Sequence, residues 1–419
     1  MGEQIFAMPD YLKILFILGG IILLIRLKVA LSLTLLVSAV VLGFLFRLPP
    51  VAIGESILKA LLDPENLKLV VSLQLILLFS AIMKENGSMT RAITALRQIF
   101  RDARVTVALI PAIIGLVPIM GGAMLSAPLV SAASDELELS PERRTFLNFW
   151  FRHVWEYMLP TFPTIFLTAS IVGLSIADLT LVNLPLTAAS IATGILFGFR
   201  GIKPAFRVRS PLTRNDAVRF FFRFAGNLLP FFLVILFTLY FKIHLAYSLA
   251  LVTAGILLFY RFPFSLLKQL AGKNLSLELA LLIWVIMIFK EILLASGGMD
   301  STTKELAAMG MPPVVLVVLL PSLIAFITGY PTAFVGLSFP VLLPFIQASP
   351  IGLYYVMLAL GSGLSAHLLS PMHACLVMTL EFYKAEMGKV FRMLFLPVAI
   401  VFCTGLAVLW IAVWLNGGK

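Results

Sequence analysis

Charged residues are scarce in this chain, and their scarcity indicates the class of protein. Only 12% of the 419 residues are charged, whereas 61% are hydrophobic, and the mean hydropathy is +1.05. Soluble globular domains carry roughly 25% charged residues, so a soluble enzyme or binding module is excluded. Apolar runs recur along the chain to its C-terminal segment. The sequence therefore predicts an all-α polytopic membrane protein, which we expect in the cell membrane.

Cysteine and acidic residues are also few. The two cysteines, Cys375 and Cys403, lie in apolar segments without the spacing of a disulfide framework or a metal motif, and we expect them to be core residues. Lysine and arginine outnumber the acids by 31 to 20, which gives a net charge of +11. In a membrane protein we expect this excess in cytoplasmic loops and not at a nucleic-acid interface. No P-loop or zinc-protease motif is present, and we expect no cofactor apart from a bound Na⁺.

The basic loops predict the orientation of the chain. Loops 86–104 and 200–223 are rich in arginine, so the positive-inside rule places both in the cytoplasm. Two inside loops must be joined by an even number of crossings, which segments 145–176 and 181–199 supply. Segment 105–134 must then enter and leave on the same side as a re-entrant hairpin. The same reasoning predicts about 10 spans and 2 hairpins, with both termini outside.

Two apolar segments are interrupted in the same way about half a chain apart. Segment 105–134 contains Met-Gly-Gly-Ala at 120–123, and segment 313–347 contains Gly-Tyr-Pro-Thr at 329–332. A broken helix exposes backbone groups that lipid cannot satisfy, so such breaks persist only where protein or water surrounds them. Paired breaks in two halves indicate the binding site of a secondary transporter.

These features divide the chain into four parts. We predict an N-terminal transmembrane hairpin and outer loop (1–68), a first inverted repeat (69–199) with hairpin 105–134 and broken helix 145–176, a basic loop with linking spans (200–275), and a second inverted repeat (276–419) with hairpin 313–347 and broken helix 351–380. The repeats are expected to have opposite orientations, because the loops that correspond in the two halves differ in charge.

Small and hydroxyl-bearing residues cluster at the predicted breaks. Half-helix amino termini favour an anion, while hydroxyls and unwound carbonyls can coordinate Na⁺. The expected site residues in the hairpins are Gly121, Gly122, Ser126, Gly329, Tyr330, Pro331, Thr332 and Ser338. Those in the broken helices are Thr161, Pro163, Thr164, Ser362, Ser370 and His373. Each residue alone could instead serve helix packing, but the clusters together favour a binding site.

Ionisable residues within apolar spans are few and therefore informative. Arg152 and Glu156 are spaced to pair on one helix face. Alternatively, Glu156 or His153 carries a coupling proton, since histidine titrates near neutrality. His373 follows a proline in the second broken helix and is a site candidate. For His367 we expect only a hydrogen bond to a backbone carbonyl.

The order of hairpin, broken span and span, repeated with inverted topology, resembles the ion-transporter superfamily. That group includes divalent anion/sodium symporters, citrate and gluconate permeases, and arsenite permeases. Within it, the chain is similar to an archaeal and bacterial integral-membrane family, and the likeness covers residues 69–415. The resemblance implies an elevator mechanism, with a scaffold that forms a homodimer and a moving unit of hairpins and broken spans. The Ser-Asn-Thr tips of the dicarboxylate branch are replaced here by Met-Gly-Gly-Ala and Gly-Tyr-Pro-Thr.

The leading hypothesis is a secondary transporter of a small anion such as an organic acid, coupled to Na⁺ or H⁺. Its expected partners are the anionic solute, the lipid bilayer and a second copy of the chain. One alternative is an intramembrane enzyme that acts on lipid through Glu156 with His153 or His373. The other is a structural membrane protein whose breaks only kink its helices.

Overall fold

The computed structural model describes residues 8–118, 122–206 and 213–417, and it confirms the all-α prediction. Within these ranges the only β pairing is an isolated bridge between Asp102 and Phe206. The α-helices are α1 (Asp10–Arg26), α2 (Leu31–Leu45), α3 (Pro50–Leu62), α4 (Pro64–Glu85), α5 (Ser88–Ile99), α6 (Ala103–Gly115), α7 (Gly122–Ser134), α8 (Pro141–His153), α9 (Pro163–Val172), α10 (Ile176–Val182), α11 (Leu184–Gly198), α12 (Arg214–Leu239), α13 (Leu245–Phe259), α14 (Phe264–Asn274), α15 (Leu277–Ala295), α16 (Gly298–Ala308), α17 (Pro313–Thr328), α18 (Pro331–Gln347), α19 (Gly352–Leu368), α20 (Ala374–Tyr383) and α21 (Met387–Leu415).

Within the described ranges, three helices are long and apolar enough to cross a bilayer unaided: α4, α12 and α21. The pair α9 and α10 is a fourth candidate, bent by 117° at a short break. Several other apolar helices have only 10–17 residues, which is short for a span of about 20 residues. The predicted total of about 10 spans therefore stays a prediction.

Two stretches predicted as loops contain helices: α3 lies in the predicted outer loop of 1–68, and α5 lies in loop 86–104. Helix α5, within the basic stretch 86–104, buries Ala92, Ile93 and Leu96 along one face. Such short amphipathic helices carry too many polar residues to be recognised as spans, yet packing of one apolar face stabilises them. These predicted connecting segments are therefore partly helical, and their side of the membrane stays a prediction.

Each half of the chain contains two interrupted helical units in the predicted order. The hairpins are α6 with α7 and α17 with α18, and the two helices of each hairpin pack against each other. The broken helices are α8 with α9 and α19 with α20. Helix α9 packs on α18 of the second hairpin, and α20 packs on α7 of the first. The units of the two halves are thus packed crosswise, while their opposite orientation stays a prediction.

Most of the remaining helices pack among themselves, whereas α11 packs on the broken-helix segment α8 and α21 packs on α8 and α19. Helix α15 lies against α2, α3 and α4, while α12 contacts α5 and α13. The interrupted units contact this group through α9 on α4 and α18 on α15. The fold therefore places four helix breaks together, next to a separate layer of continuous helices.

Candidate functional site

The helix breaks line an open cavity of about 230 Å³ together with residues of α4 and α15. Its wall includes nine of the residues expected from the sequence: His153, Glu156, Pro163, Thr164, Gly329, Tyr330, Pro331, Thr332 and His373. Further lining residues with polar side chains, which the sequence did not place at the site, are Arg152, His367 and Cys375. The rest of the wall is apolar and comes partly from α4 and α15, through residues such as Leu73, Ile76 and Leu279.

Local sequence explains where the helices stop at this cavity. Helix α17 ends at Thr328, the next residue, Gly329, has a φ of +64°, and Pro331 begins α18. Glycine adopts this left-handed conformation without a steric penalty, and proline is suited to the first helical position because it needs no amide donor. Pro163 begins α9 in the same way.

Prolines that lie inside the hairpin helices do not break them. Pro111 lies inside α6, Pro128 inside α7, and Pro321 inside α17. Membrane helices tolerate internal proline because neighbouring groups satisfy the freed carbonyl. The break of the second hairpin falls at Gly329 and Tyr330, between α17 and α18.

Three half-helices present their amino termini to the cavity. Pro163 and Thr164 begin α9, Pro331 and Thr332 begin α18, and Ala374 begins α20, and all five residues lie in the wall. The first turn of a helix has amide groups without a partner inside the helix, and the helix dipole adds a partial positive charge there. The three ends together create an environment that favours an anion.

Arg152 adds a full positive charge to the same wall. Its side chain is only 3% exposed and extends from the last turn of α8. The guanidinium lies against Gly122, at the start of α7, and a Cβ at Gly122 would approach the Arg152 Cζ to 2.7 Å. A glycine at this position therefore provides the space that the guanidinium occupies.

Three histidines form a buried cluster in the wall. The rings of His367 and His373 stack with centroids 3.8 Å apart, and the ring of His153 lies 4.9 Å from that of His373. The Nδ1 atom of His153 is 2.5 Å from the Phe149 carbonyl, and that of His373 is 3.2 Å from the His367 carbonyl. A carbonyl only accepts hydrogen bonds, so in both rings Nδ1 donates and Nε2 keeps its lone pair.

Comparison with known proteins identifies the family. The model of the family described as "Protein of unknown function (DUF401)" matches residues 10–413. The chain belongs to the DUF401 family. None of the curated proteins compared with it matches significantly.

This DUF401 protein also resembles a solved structure, the crystal structure of the Alcanivorax borkumensis YdaH transporter, which is described as having an unusual topology. The superposition has a TM-score of 0.54 at 14% sequence identity and covers 81% of this chain and 84% of that chain. At this identity the likeness concerns the fold. Together with the apolar helices, it identifies the DUF401 protein as a membrane protein with a transporter-like fold.

Several residues expected at the site lie away from the cavity wall of this DUF401 protein. The hydroxyls of Ser126, Ser338 and Ser362 are buried and donate to carbonyls of their own helices. A helical serine can donate its hydroxyl hydrogen to the carbonyl one turn earlier, so that hydrogen is not available to an anion. Thr161 is buried in the first break but is not part of the wall. Gly121 lies outside the described residues.

Ser370 has a different position from the other serines. Its hydroxyl donates to the Phe326 carbonyl at 2.6 Å and accepts from the Met372 amide at 3.2 Å. It therefore joins the second break to α17 of the neighbouring hairpin and does not line the cavity. The structure places Ser370 as a support of the break.

Arg152 and Glu156, whose spacing would allow them to pair on one helix face, do not lie on the same helix. Helix α8 ends at His153, and Glu156 lies in the turn beyond it. The Glu156 carboxylate is 3.8 Å from the His153 Nε2 atom. Termination of α8 thus brings Glu156 to the histidine cluster at the cavity.

Proposed function

We propose that this DUF401 protein is a secondary transporter that carries a small anion, such as an organic acid, across the cell membrane. The observation that carries the proposal is the meeting of three half-helix amino termini and the Arg152 guanidinium in one cavity of about 230 Å³. Amide groups at helix amino termini and a guanidinium both bind carboxylates well. The transporter fold of the YdaH structure supports the proposal.

Transport is coupled to a cation in this proposal, either H⁺ or Na⁺. Glu156 and His153 lie 3.8 Å apart at the wall and are the candidates to carry a proton. The Thr164 hydroxyl, buried at the start of α9, has no hydrogen-bond partner among the described residues, and with Thr332 it is the candidate to coordinate Na⁺. A coupling cation beside the anion offsets the cost of burying its charge.

The movement is of the elevator type in this proposal. The hairpins and broken helices pack crosswise into one unit, whereas α2, α3, α4, α12, α13 and α15 form a separate layer. Such an arrangement suits a unit that slides past a scaffold, and we propose that the scaffold forms a homodimer. The resemblance to the ion-transporter superfamily supports both points. The cell membrane location and the outside position of both termini belong to the same proposal.

Uptake into proteoliposomes tests the proposal. Radiolabelled organic acids are offered under an inward Na⁺ gradient, an inward H⁺ gradient or neither. We expect one gradient to accelerate uptake, and we expect Arg152→Gln to reduce the rate at least about tenfold, since a charged hydrogen bond contributes roughly 1.5–3 kcal/mol. Arg219→Gln, at an exposed position on α12, is the matched control and should retain uptake.

Two results would contradict the proposal. If no gradient changes uptake of any acid, and Glu156→Gln instead abolishes turnover of a lipid, the chain is an intramembrane enzyme. If neither uptake nor turnover is measurable and the variants change only stability, the breaks are structural. If Arg152→Gln takes up the acid as fast as the wild type does, the guanidinium does not bind the anion.

A further inference from the structure

Three side chains at the edge of the cavity bring potential metal ligands together. One ring nitrogen of His153, one of His373 and the Cys375 Sγ all lie within 4.8 Å of one another. Both histidines are buried, Cys375 is half-buried, and all three belong to the cavity wall. The first half of the chain supplies one ligand and the second half supplies two, so the cluster exists only in the folded protein.

Hydrogen bonds prepare the two imidazoles for this role. Their Nδ1 atoms donate to the carbonyls of Phe149 and His367, at 2.5 and 3.2 Å, so each Nε2 keeps its lone pair. Histidines that bind a metal usually donate their other ring nitrogen to a carbonyl or carboxylate, which fixes the tautomer and the ring orientation. The same second-shell hydrogen bonds are present here.

The donor set selects the kind of metal. Two imidazoles and a thiolate suit Zn²⁺ and similar borderline or soft ions, whereas Mg²⁺ and Ca²⁺ prefer oxygen ligands. The Arg152 guanidinium and the helix amino termini also repel cations. The negative charge of the Cys375 thiolate offsets this repulsion for a metal ion that binds sulfur. In a tetrahedral zinc site the ligand atoms are roughly 3.3–3.8 Å apart. The ligand atoms must therefore approach one another by no more than about 1–1.5 Å, and rotation of the Cys375 side chain can supply much of this movement.

We infer that this cavity binds one Zn²⁺-class ion through the Nε2 atoms of His153 and His373 and the Cys375 Sγ. Glu156, whose carboxylate is 3.8 Å from the His153 Nε2, supplies a fourth ligand or the remaining counter-charge. Binding breaks the S–H bond of Cys375, forms a metal–sulfur bond and releases the proton to solvent. Metal binding is a property separate from anion transport, and it can be measured without a transport assay. If the transport proposal also holds, the ion blocks uptake because it occupies the anion cavity.

Cadmium provides a direct probe of the thiolate. The purified protein in detergent, kept reduced, is titrated with Cd²⁺ while the ultraviolet charge-transfer absorption of a Cd²⁺–thiolate bond is recorded. We expect one equivalent to bind, and we expect Cys375→Ser to abolish the band. His153→Gln should weaken binding at least about tenfold. Cys403→Ser removes the exposed thiol of α21 and is the matched control, which should titrate like wild type.

A second measurement avoids variants of the ligands themselves. In the Cys403→Ser background Cys375 is the only thiol, and its alkylation by a maleimide is followed with Zn²⁺, with Mg²⁺ or with neither. We expect Zn²⁺ to slow the reaction at least about tenfold and Mg²⁺ to have no effect. Equal rates with Zn²⁺ and Mg²⁺, or a charge-transfer band that persists in Cys375→Ser, would overturn the inference. If the metal-free protein takes up no acid but binds the metal as expected, only the transport proposal is contradicted.

Discussion

Substitution of Gly329 by alanine tests how closely the second hairpin fits the second broken helix. Gly329 lies between α17 and α18 with a φ of +64°. A Cβ added there would lie 2.6 Å from the carbonyl carbon of Met372 and 2.7 Å from its oxygen. These are backbone atoms of the break between α19 and α20, so no side-chain rotation can relieve the overlap.

A second glycine, Gly297, separates the cost of the left-handed backbone from the cost of the steric overlap. Gly297 also has a φ of +64°, but no atom lies within 4 Å of the position that its Cβ would occupy. Alanine at Gly297 therefore incurs only the left-handed strain, roughly 1–2 kcal/mol. Alanine at Gly329 adds an overpacking penalty of roughly 1–3 kcal/mol. The expected loss of unfolding free energy is about 2–5 kcal/mol for Gly329→Ala, well above that for Gly297→Ala.

Denaturant titration in detergent micelles, followed by tryptophan fluorescence, measures both losses. The stabilisation by an added organic acid is measured on the same samples, since a ligand that binds only the folded state raises the melting temperature. We expect this ligand shift to shrink in Gly329→Ala alone, because its hairpin is forced away from the cavity. Equal losses of stability in the two variants would refute the close contact between the hairpin and Met372.

Three further expectations follow from other contacts of the hairpins and broken helices. Ser140→Ala removes the side-chain cap that accepts from the amide in the first turn of α8 and should cost about 1 kcal/mol of stability in the same titration. Tyr383→Phe removes the buried hydroxyl that donates to the Ala127 carbonyl at 2.6 Å, with an expected cost of about 1–3 kcal/mol by denaturant titration. For the inverted repeats, Asp135→Cys should react with a membrane-impermeant maleimide from the cytoplasm and Lys304→Cys from outside.

Matched controls accompany these variants. Thr404→Ala removes a hydroxyl bonded within α21 and Tyr240→Phe changes an exposed side chain, so both should leave stability nearly unchanged. If Ser140→Ala or Tyr383→Phe lowers the stability no more than its control does, the corresponding contact does not stabilise the fold. Labelling of both introduced cysteines from one side of the membrane would exclude the inverted repeats.

The breaks could be recognised in the sequence because their signals are local. Gly329 and Pro331 have conformational preferences that act within a few residues of the chain. The same holds for Pro163, which begins α9 where a proline was expected to interrupt the span. Hence most of the residues predicted at these two breaks do line the cavity.

The serines were harder to place because their role depends on which way the helix faces. Ser338 follows the second break closely in sequence, yet its hydroxyl is satisfied within α18. His367 shows the opposite error, since it was expected only to bond a carbonyl but lies in the wall, stacked on His373. Burial and facing are set by packing partners far away in the chain, which a single sequence does not specify.

The sequence by itself determined the helical class, the membrane environment and the positions of the main breaks, because hydropathy and the backbone preferences of glycine and proline are properties of short segments. Only the tertiary structure decided that Arg152, the three histidines and Cys375 share one cavity with three helix amino termini. These groups come from both halves of the chain. Their meeting depends on the crosswise packing of α9 on α18 and of α20 on α7, which arises from the shapes of whole helices.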